Sequence, residues 1–209
     1  AWANDVYVEQ IGDNSSVSIT QDGAGNMVNG NVGGLGNVDD PALILGDLND
    51  VTISQIGSGN QISMIINNGA GTGATVVVSA NGNDNTQTIG CGTALSSTCS
   101  ASTISSQITG NSNNTVQTLS GGVVNSTIAI NGNWNTINNI QDGSNNLTLV
   151  NISGDNNNAF VSQTGNGHST LLNLIGNKNT VSVTQTGTGD AYSLQQTCTN
   201  PAGCSVSVI

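Results

Sequence analysis

The chain has 209 residues, of which 6% are charged and 2% aromatic, with a formal net charge of −11. Neither an aromatic-rich core nor a normally charged surface can be built from this composition. A single Lys or Arg, Lys178, excludes the clustered cations that phosphate backbones and anionic lipid require, and no apolar run approaches the ~20 residues that span a bilayer.

The opening Ala1-Trp2-Ala3 carries no positively charged leader and runs almost at once into a strand-like segment, as expected of a mature, processed chain. In that segment Asn4, Val6, Val8 and Gln10 alternate with Asp5, Tyr7 and Glu9, the period-two pattern of a strand with one buried face. A contracted bend, Gly12-Asp13-Asn14, follows. The bend then recurs as G-x-x-N at Gly23–Asn26, Gly34–Asn37, Gly46–Asn49, Gly57–Asn60, Gly82–Asn85, Gly110–Asn113 and Gly122–Asn125. It continues at Gly132–Asn135, Gly143–Asn146, Gly154–Asn157 and Gly176–Asn179, with Gly165–His168 and Gly187–Asp190 as near-matches. Glycine supplies the positive φ such a bend needs, and asparagine tolerates it or bonds its own backbone.

From Gly132 to Gly187 the step is an unbroken 11 residues. A second marker, Q-x-G, stands at Gln10, Gln21, Gln55, Gln141, Gln163 and Gln185, the last three 22 residues apart. Two 11-residue units therefore make one turn. In the unit Asn179–Gly187, Asn179, Val181, Val183 and Gln185 share one face, and Thr180, Ser182 and Thr184 the other. One such strand cannot bury its apolar face alone, but facing strands in stacked coils can.

The expected fold is thus all-β, a β-solenoid of strand-bend-strand coils of about 22 residues each, forming one domain over residues 1–209. Roughly 17 strands make eight or nine coils, a stack of about 40 Å. Stacking sets equivalent residues ~4.7–4.8 Å apart, so inward amides bond up and down the stack as ladders. The expected ladder residues are Asn4, Gln10, Gln21, Asn49, Gln55, Asn135, Gln141, Asn157, Gln163, Asn179 and Gln185.

Four cysteines sit as two close pairs, Cys91 with Cys99 and Cys198 with Cys204, each bracketing a segment that interrupts the repeat. Two local disulfides clipping two loops is the simplest arrangement and implies an oxidising compartment. Zinc is the rival, although the spacing is not that of a knuckle.

The run Asn49-Asp-Val-Thr-Ile-Ser-Gln55-Ile-Gly57-Ser-Gly-Asn60, with Asn157-Asn-Ala-Phe-Val-Ser-Gln163-Thr-Gly165 as its second half, resembles the curlin repeat. The resemblance covers nearly the whole chain. It implies a solenoid that polymerises into amyloid-like fibres outside the cell, within a biofilm matrix, with nucleator or export proteins as further partners. Three departures mark a distant relative. The repeats begin at about Asn4, where familiar members carry a secretion-targeting segment first, the cysteine-clipped loops lie outside the basic pattern, and Ile66, Ile130, Ile152 and Leu174 replace ladder glutamines.

Neither terminal strand carries an evident cap. Val6 and Val8 at one end, and Val206 and Val208 at the other, are therefore expected to meet in a head-to-tail homopolymer. Asp13, Asp22, Asp47, Asp84, Asp142 and Asp155 are read as bend residues that oppose lateral sticking. His168, in the Asn slot of its bend, is expected to be solvated. As the sole histidine it leaves no catalytic arrangement without it, and no enzyme is expected. Asp39, Asp40, Asp47 and Asp50 offer oxygens to Ca²⁺ but form no known calcium motif, so no cofactor is assigned. Trp134 is expected to face outward from its bend, and Trp2 to cover the first coil or the preceding subunit. The alternative function is a monomeric secreted solenoid, an ice-binding protein or adhesin, but the outward slots mix Thr with Asp50, Leu147, Phe160 and Leu171.

Overall fold

Alternating Val, Ile and Thr favour strands that bury one face, and a bend with two positive-φ positions every 11 residues folds them against one another. The structure, a computed structural model, describes residues 3–30, 40–68, 74–92, 99–100, 102–122 and 125–209. The first sheet stacks Asp5–Val6 with Val8–Ile11, then Met27–Asn29 with Ala42–Leu45, Gln61–Asn67, Thr86–Cys91 with Cys99–Ser100, and Asn114–Gly122. It continues with Thr136–Asp142, Asn158–Asn166, Asn179–Thr188 and Cys204–Val208. The second stacks Ser16–Asp22, Asp50–Ile56, Thr75–Asn81, Thr103–Thr109, Asn125–Asn131, Leu147–Ser153, Ser169–Gly176 and Ala191–Cys198.

Every pairing is parallel and the chain alternates between the sheets, so the described residues form an all-β solenoid of about eight turns. Ile137, Ala159 and Val181 lie over one another in consecutive coils, as do Val150 and Leu172 across the interior. No helix among the described residues is long and apolar enough to cross a membrane.

The 22-residue coil holds from Asn4 to Asn26 and again from Asn113 to Asn179. Between equivalent asparagines the interval is 34 residues from Asn26 to Asn60, 25 to Asn85 and 28 to Asn113, then 22 at each further step. The longest excess lies inside a strand. Met27–Asn29 and Ala42–Leu45 both pair with Gln61–Asn67 in one register, so they form a single level interrupted by an excursion. Gly30 N–H donates to Asp40 O at 2.9 Å across its neck. The predicted bend glycine Gly34 lies outside the described residues, as do Asp39 and Trp2, but its flanking strands make one level instead of two. A second correction concerns Gly122–Asn125. Gly121, at φ +99°, takes the bend column beneath Gly143, and Asn125 is an outward strand residue over Leu147.

The buried interior separates into two apolar clusters. One gathers Val51, Ile53, Ile62, Met64, Ile66 and Val76 in the early coils. The other gathers Ile128, Ile137, Val150, Val161, Leu172 and Val183 in the later ones. Between them Gln87, Ser106, Thr115, Gln117, Ser126 and Asn139 are all buried, a polar belt through the middle of the stack.

Candidate functional site: the amide ladders and the stack ends

The G-x-x-N bend works as a unit. Where the chain passes from the second sheet to the first, the asparagine points inward. Its backbone N–H and Nδ2 both donate to Oδ1 of the asparagine one coil earlier. Asn135 does so to Asn113 at 3.0 and 3.0 Å, Asn157 to Asn135 at 2.9 and 3.0 Å, and Asn179 to Asn157 at 2.8 and 2.8 Å. The same amide reaches forward. Asn113 Nδ2 donates to Gly132 O at 2.8 Å and Asn135 Nδ2 to Gly154 O at 2.9 Å. Each asparagine therefore ties three coils, and the column runs unbroken through Asn4, Asn26, Asn60, Asn85, Asn113, Asn135, Asn157 and Asn179.

The glycine is fixed by the same geometry. Gly154 holds φ +134°, and a Cβ there would run into the carbonyl of Gly176 in the next coil. Gly12, Gly23, Gly57, Gly132, Gly143, Gly165, Gly176 and Gly187 share that positive φ.

The opposite bend column is degenerate: Ser15, Asn49, Ala74, Ser102, Asn146, His168 and Asp190 fill its inward slot. Here His168 corrects the sequence expectation. It is 1% exposed, because the Asn slot faces the interior. Its N–H donates to Asn146 Oδ1 at 3.0 Å, its Nε2 lies 3.2 Å from Thr164 O, and its Nδ1 lies 3.4 Å from Asp190 Oδ2.

The glutamines form two short runs instead of one column. Gln21 Nε2 donates to Gln55 Oε1 at 2.7 Å in the second sheet. In the first, Gln141 donates to Gln163 at 2.9 Å and Gln163 to Gln185 at 3.0 Å. Asn49, Gln55, Asn135, Gln141, Asn157, Gln163, Asn179 and Gln185 are buried. Asn4 and Gln10 are not interior: both lie exposed in the first coil, which has a neighbour on one side only, and Gln21 is half-buried there. Asn4 still joins its column by accepting from Asn26 N–H at 3.0 Å, whereas Gln10 sits over Ile44 and reaches only Ser15 O at 3.4 Å.

A further ladder escaped the sequence reading. The second bend residue accepts a backbone N–H from the coil before it, in the opposite sense to the buried column. Asn111 N–H donates to Asn133 Oδ1 at 2.9 Å, Asn133 to Asp155 at 2.7 Å and Asp155 to Asn177 at 2.8 Å. The signal was the recurrence of Asn or Asp one residue after the glycine. Asp155, read as a repelling charge, is a rung of it.

Disulfides join Cys91 to Cys99 and Cys198 to Cys204, closing loops of 8 and 6 residues in sequence separation. Among the described residues no group of three or more His, Cys, Asp or Glu gathers as a metal cluster would. Val6 and Val8 lie in the edge strand at one end of the first sheet, Val206 and Val208 in the edge strand at the other. Trp134 projects from its bend, 61% exposed.

These features define a parallel β-solenoid held by amide ladders and clipped by disulfides. Residues 154–187 match the family model of the curlin-associated repeat, consistent with a distant curlin-repeat relative. No curated protein and no solved structure matches the chain. The repeat and the fold fit a curli-like structural subunit, and the disulfides fit a non-cytoplasmic protein.

Proposed function

We propose that the chain is a structural subunit of an extracellular curli-like filament, in a biofilm matrix or on a cell surface, that polymerises head to tail through its stack ends. The observation that carries this reading is the edge composition of the sheets. Val8–Ile11 and Ser16–Asp22 at one end, and Ala191–Cys198 and Cys204–Val208 at the other, each have a strand neighbour on one side only. Parallel edges with unused N–H and C=O groups template further pairing, and a heterologous contact that does not close grows into a filament. The ladders favour addition along the axis, because each new coil finds acceptors already aligned.

The test is electron microscopy of the full chain after dilution from denaturant, with fibre diffraction alongside. Long unbranched fibres with a ~4.7–4.8 Å axial repeat are the expected outcome. A protein that stays monomeric at every concentration would overturn the proposal and move the case to a soluble binding module.

A further inference from the structure

The two ends of the stack are steps, and their shapes specify how one copy seats on the next. This inference rests on the filament reading and adds the orientation of the partner. Among the described strands the first sheet has nine levels and the second eight. Each strand lies half a coil above its predecessor, so Cys204–Val208 stands half a coil above Ala191–Cys198. The step leaves an open cleft of about 360 Å³ bordered by Gln185, Asp190, Tyr192 and Val208. At the other end Val8–Ile11 lies half a coil below Ser16–Asp22.

A second copy stacked in the same orientation would set Val8–Ile11 on Cys204–Val208 and leave a strand-wide gap above Ala191–Cys198. Turned by half a revolution about the stack axis, it fits both steps. Its Asp5–Ile11 segment fills the level above Ala191–Cys198, and its Ser16–Asp22 lands on Cys204–Val208. Strand directions stay parallel, because the two sheets of a coil run oppositely and the half-turn exchanges them. Both half-coils follow the same inward pattern, so Val6 and Val8 come over Tyr192 and Leu194, and Val17 and Ile19 over Val206 and Val208. We propose that successive copies in the filament are related by this half-turn, so that the first sheet of one copy continues the second sheet of the copy before it.

The ladder chemistry selects the same orientation independently. In both inward bend columns a coil donates its backbone N–H to a side-chain oxygen of the coil before, as Asn26 does to Asn4 and His168 to Asn146. Asn4 begins one column and needs such an oxygen beneath it. In the unrotated stack it would meet Cys204, whose sulfur is tied to Cys198, while Asn179 Oδ1 is already occupied by Gln196 Nε2 at 2.9 Å. In the half-turn stack it meets Asp190, whose side chain is 54% exposed and carries carboxylate oxygens at the top of its column. Hydrogen bonds to a carboxylate are the stronger kind. Gln196 Oε1, buried and without a partner, gains Gln10 directly above it in the half-turn stack, whereas the strand-wide gap of the unrotated stack keeps Gln21 out of its reach.

Fibres of the full chain should show, by helical reconstruction, a rotation per subunit near half a turn, modified by the sheet twist, with a rise of about 40 Å. In parallel, two double variants are assembled and treated with a short bis-maleimide. Tyr7→Cys with Ser193→Cys places thiols on neighbouring strands only in the half-turn junction, and Tyr7→Cys with Ser207→Cys only in the unrotated one. Covalent ladders from the first pair and monomer from the second are expected. Fibres with no half-turn, or the reverse cross-linking pattern, would overturn the orientation and leave the filament reading standing. Absence of fibres from the unmodified chain would remove both.

Discussion

The two bend columns of this solenoid are built from the same motif and have diverged in opposite ways. The column through Asn26, Asn60, Asn85, Asn113, Asn135, Asn157 and Asn179 keeps its amide and its spacing of one glycine to one asparagine at each of these levels, and lapses at Cys204 above them. The opposite column replaces the amide by Ser15, Ala74, Ser102, His168 or Asp190. It also accommodates the extra residues between Asn68 and Ala74, whereas those between Gly92 and Cys99 enter at a strand end, since Cys91 and Cys99 pair with Leu119 and Gly121. The physical reason is the three-coil reach of the asparagine. An insertion between glycine and asparagine would detach Nδ2 from two coils at once, whereas a slot filled by alanine has nothing to lose. Where the ladder is complete the bend length is fixed; where it lapses the bend is free to grow, as between Asn68 and Ala74, and at Cys198–Cys204, where Cys204 takes the slot above Asn179, it is clipped by a disulfide instead.

The strongest way to break this contrast is to remove one rung on each side. Asn135→Ala deletes two donors and the Oδ1 that accepts from Asn157 N–H and Nδ2, leaving buried groups unpaired. The expected loss is about 4 kcal/mol, from unsatisfied groups at ~1–3 kcal/mol each. Asn146→Ala removes a bond to Gly165 O at 3.0 Å and the acceptor for His168 N–H. About 2 kcal/mol is expected there, since the same column already carries Ala74. Urea denaturation followed by circular dichroism measures both. Equal losses on the two sides would mean that the ladder does not set the difference between the columns.

Much of this was legible in the sequence, and particular residues show why. The 11-residue recurrence from Gly132 to Gly187 determined strand length, bend position and which residues face inward, because a period-two strand between fixed bends has no other register. The disulfide partners followed from their closeness in the chain. Gly122 misled because Gly121 stands beside it, and only the register against Gly143 decides which one turns. Gly34 was expected to open a bend between coils; it lies outside the described residues, and the strands flanking it, Met27–Asn29 and Ala42–Leu45, share one level. His168 was read as solvated by residue type, although its slot is inward by position. The broken glutamine column was visible in Ile66 and Leu174, but the two separate runs required knowing which sheet each glutamine occupies.

A milder perturbation tests the excursion. Replacing residues 31–39 by Asn-Gly gives the two-residue loop favoured in tight hairpins across a neck that Gly30 and Asp40 already close. The expected change in stability is below about 1 kcal/mol, because closing a shorter loop alters chain entropy only slowly with length. A large loss, or a changed fibre-forming rate without a change in stability, would show that the segment does more than interrupt a strand.

A restored rung should sharpen the contrast from the other side. His168→Asn returns the ladder amide to the degenerate column, with Nδ2 placed to donate to Gly187 O as Asn146 does to Gly165 O. A gain of about 1 kcal/mol is expected for one added buried hydrogen bond. Its failure to appear would indicate that the contacts of His168 with Thr164 O and Asp190 compensate for the missing amide.

The smallest effect belongs to the bend residue just before the asparagine. Among the described residues that position is left-handed: Gly25, Gly59 and Gly167 fill it in some coils, but Leu48, Asp84, Ser112, Trp134 and Lys178 hold φ between 54° and 60° in others. A left-handed conformation costs a residue with a Cβ roughly 1–2 kcal/mol, part of which glycine returns through its greater freedom in the unfolded chain. Trp134 projects into solvent and has little packing to lose, so Trp134→Gly should stabilise the coil by about 0.5–1 kcal/mol on balance. It lies on the complete ladder side, where Trp134 N–H donates to Asn111 O at 3.0 Å and Asn135 anchors the next residue. The strain is therefore held by the ladder, and the gain from relieving it should shrink in the Asn135→Ala background, where the bend can relax without help. A double-mutant cycle on these two positions measures that coupling directly. Additive effects would mean that the ladder and the bend conformation are independent, and that the constancy of the asparagine column rests on its hydrogen bonds alone.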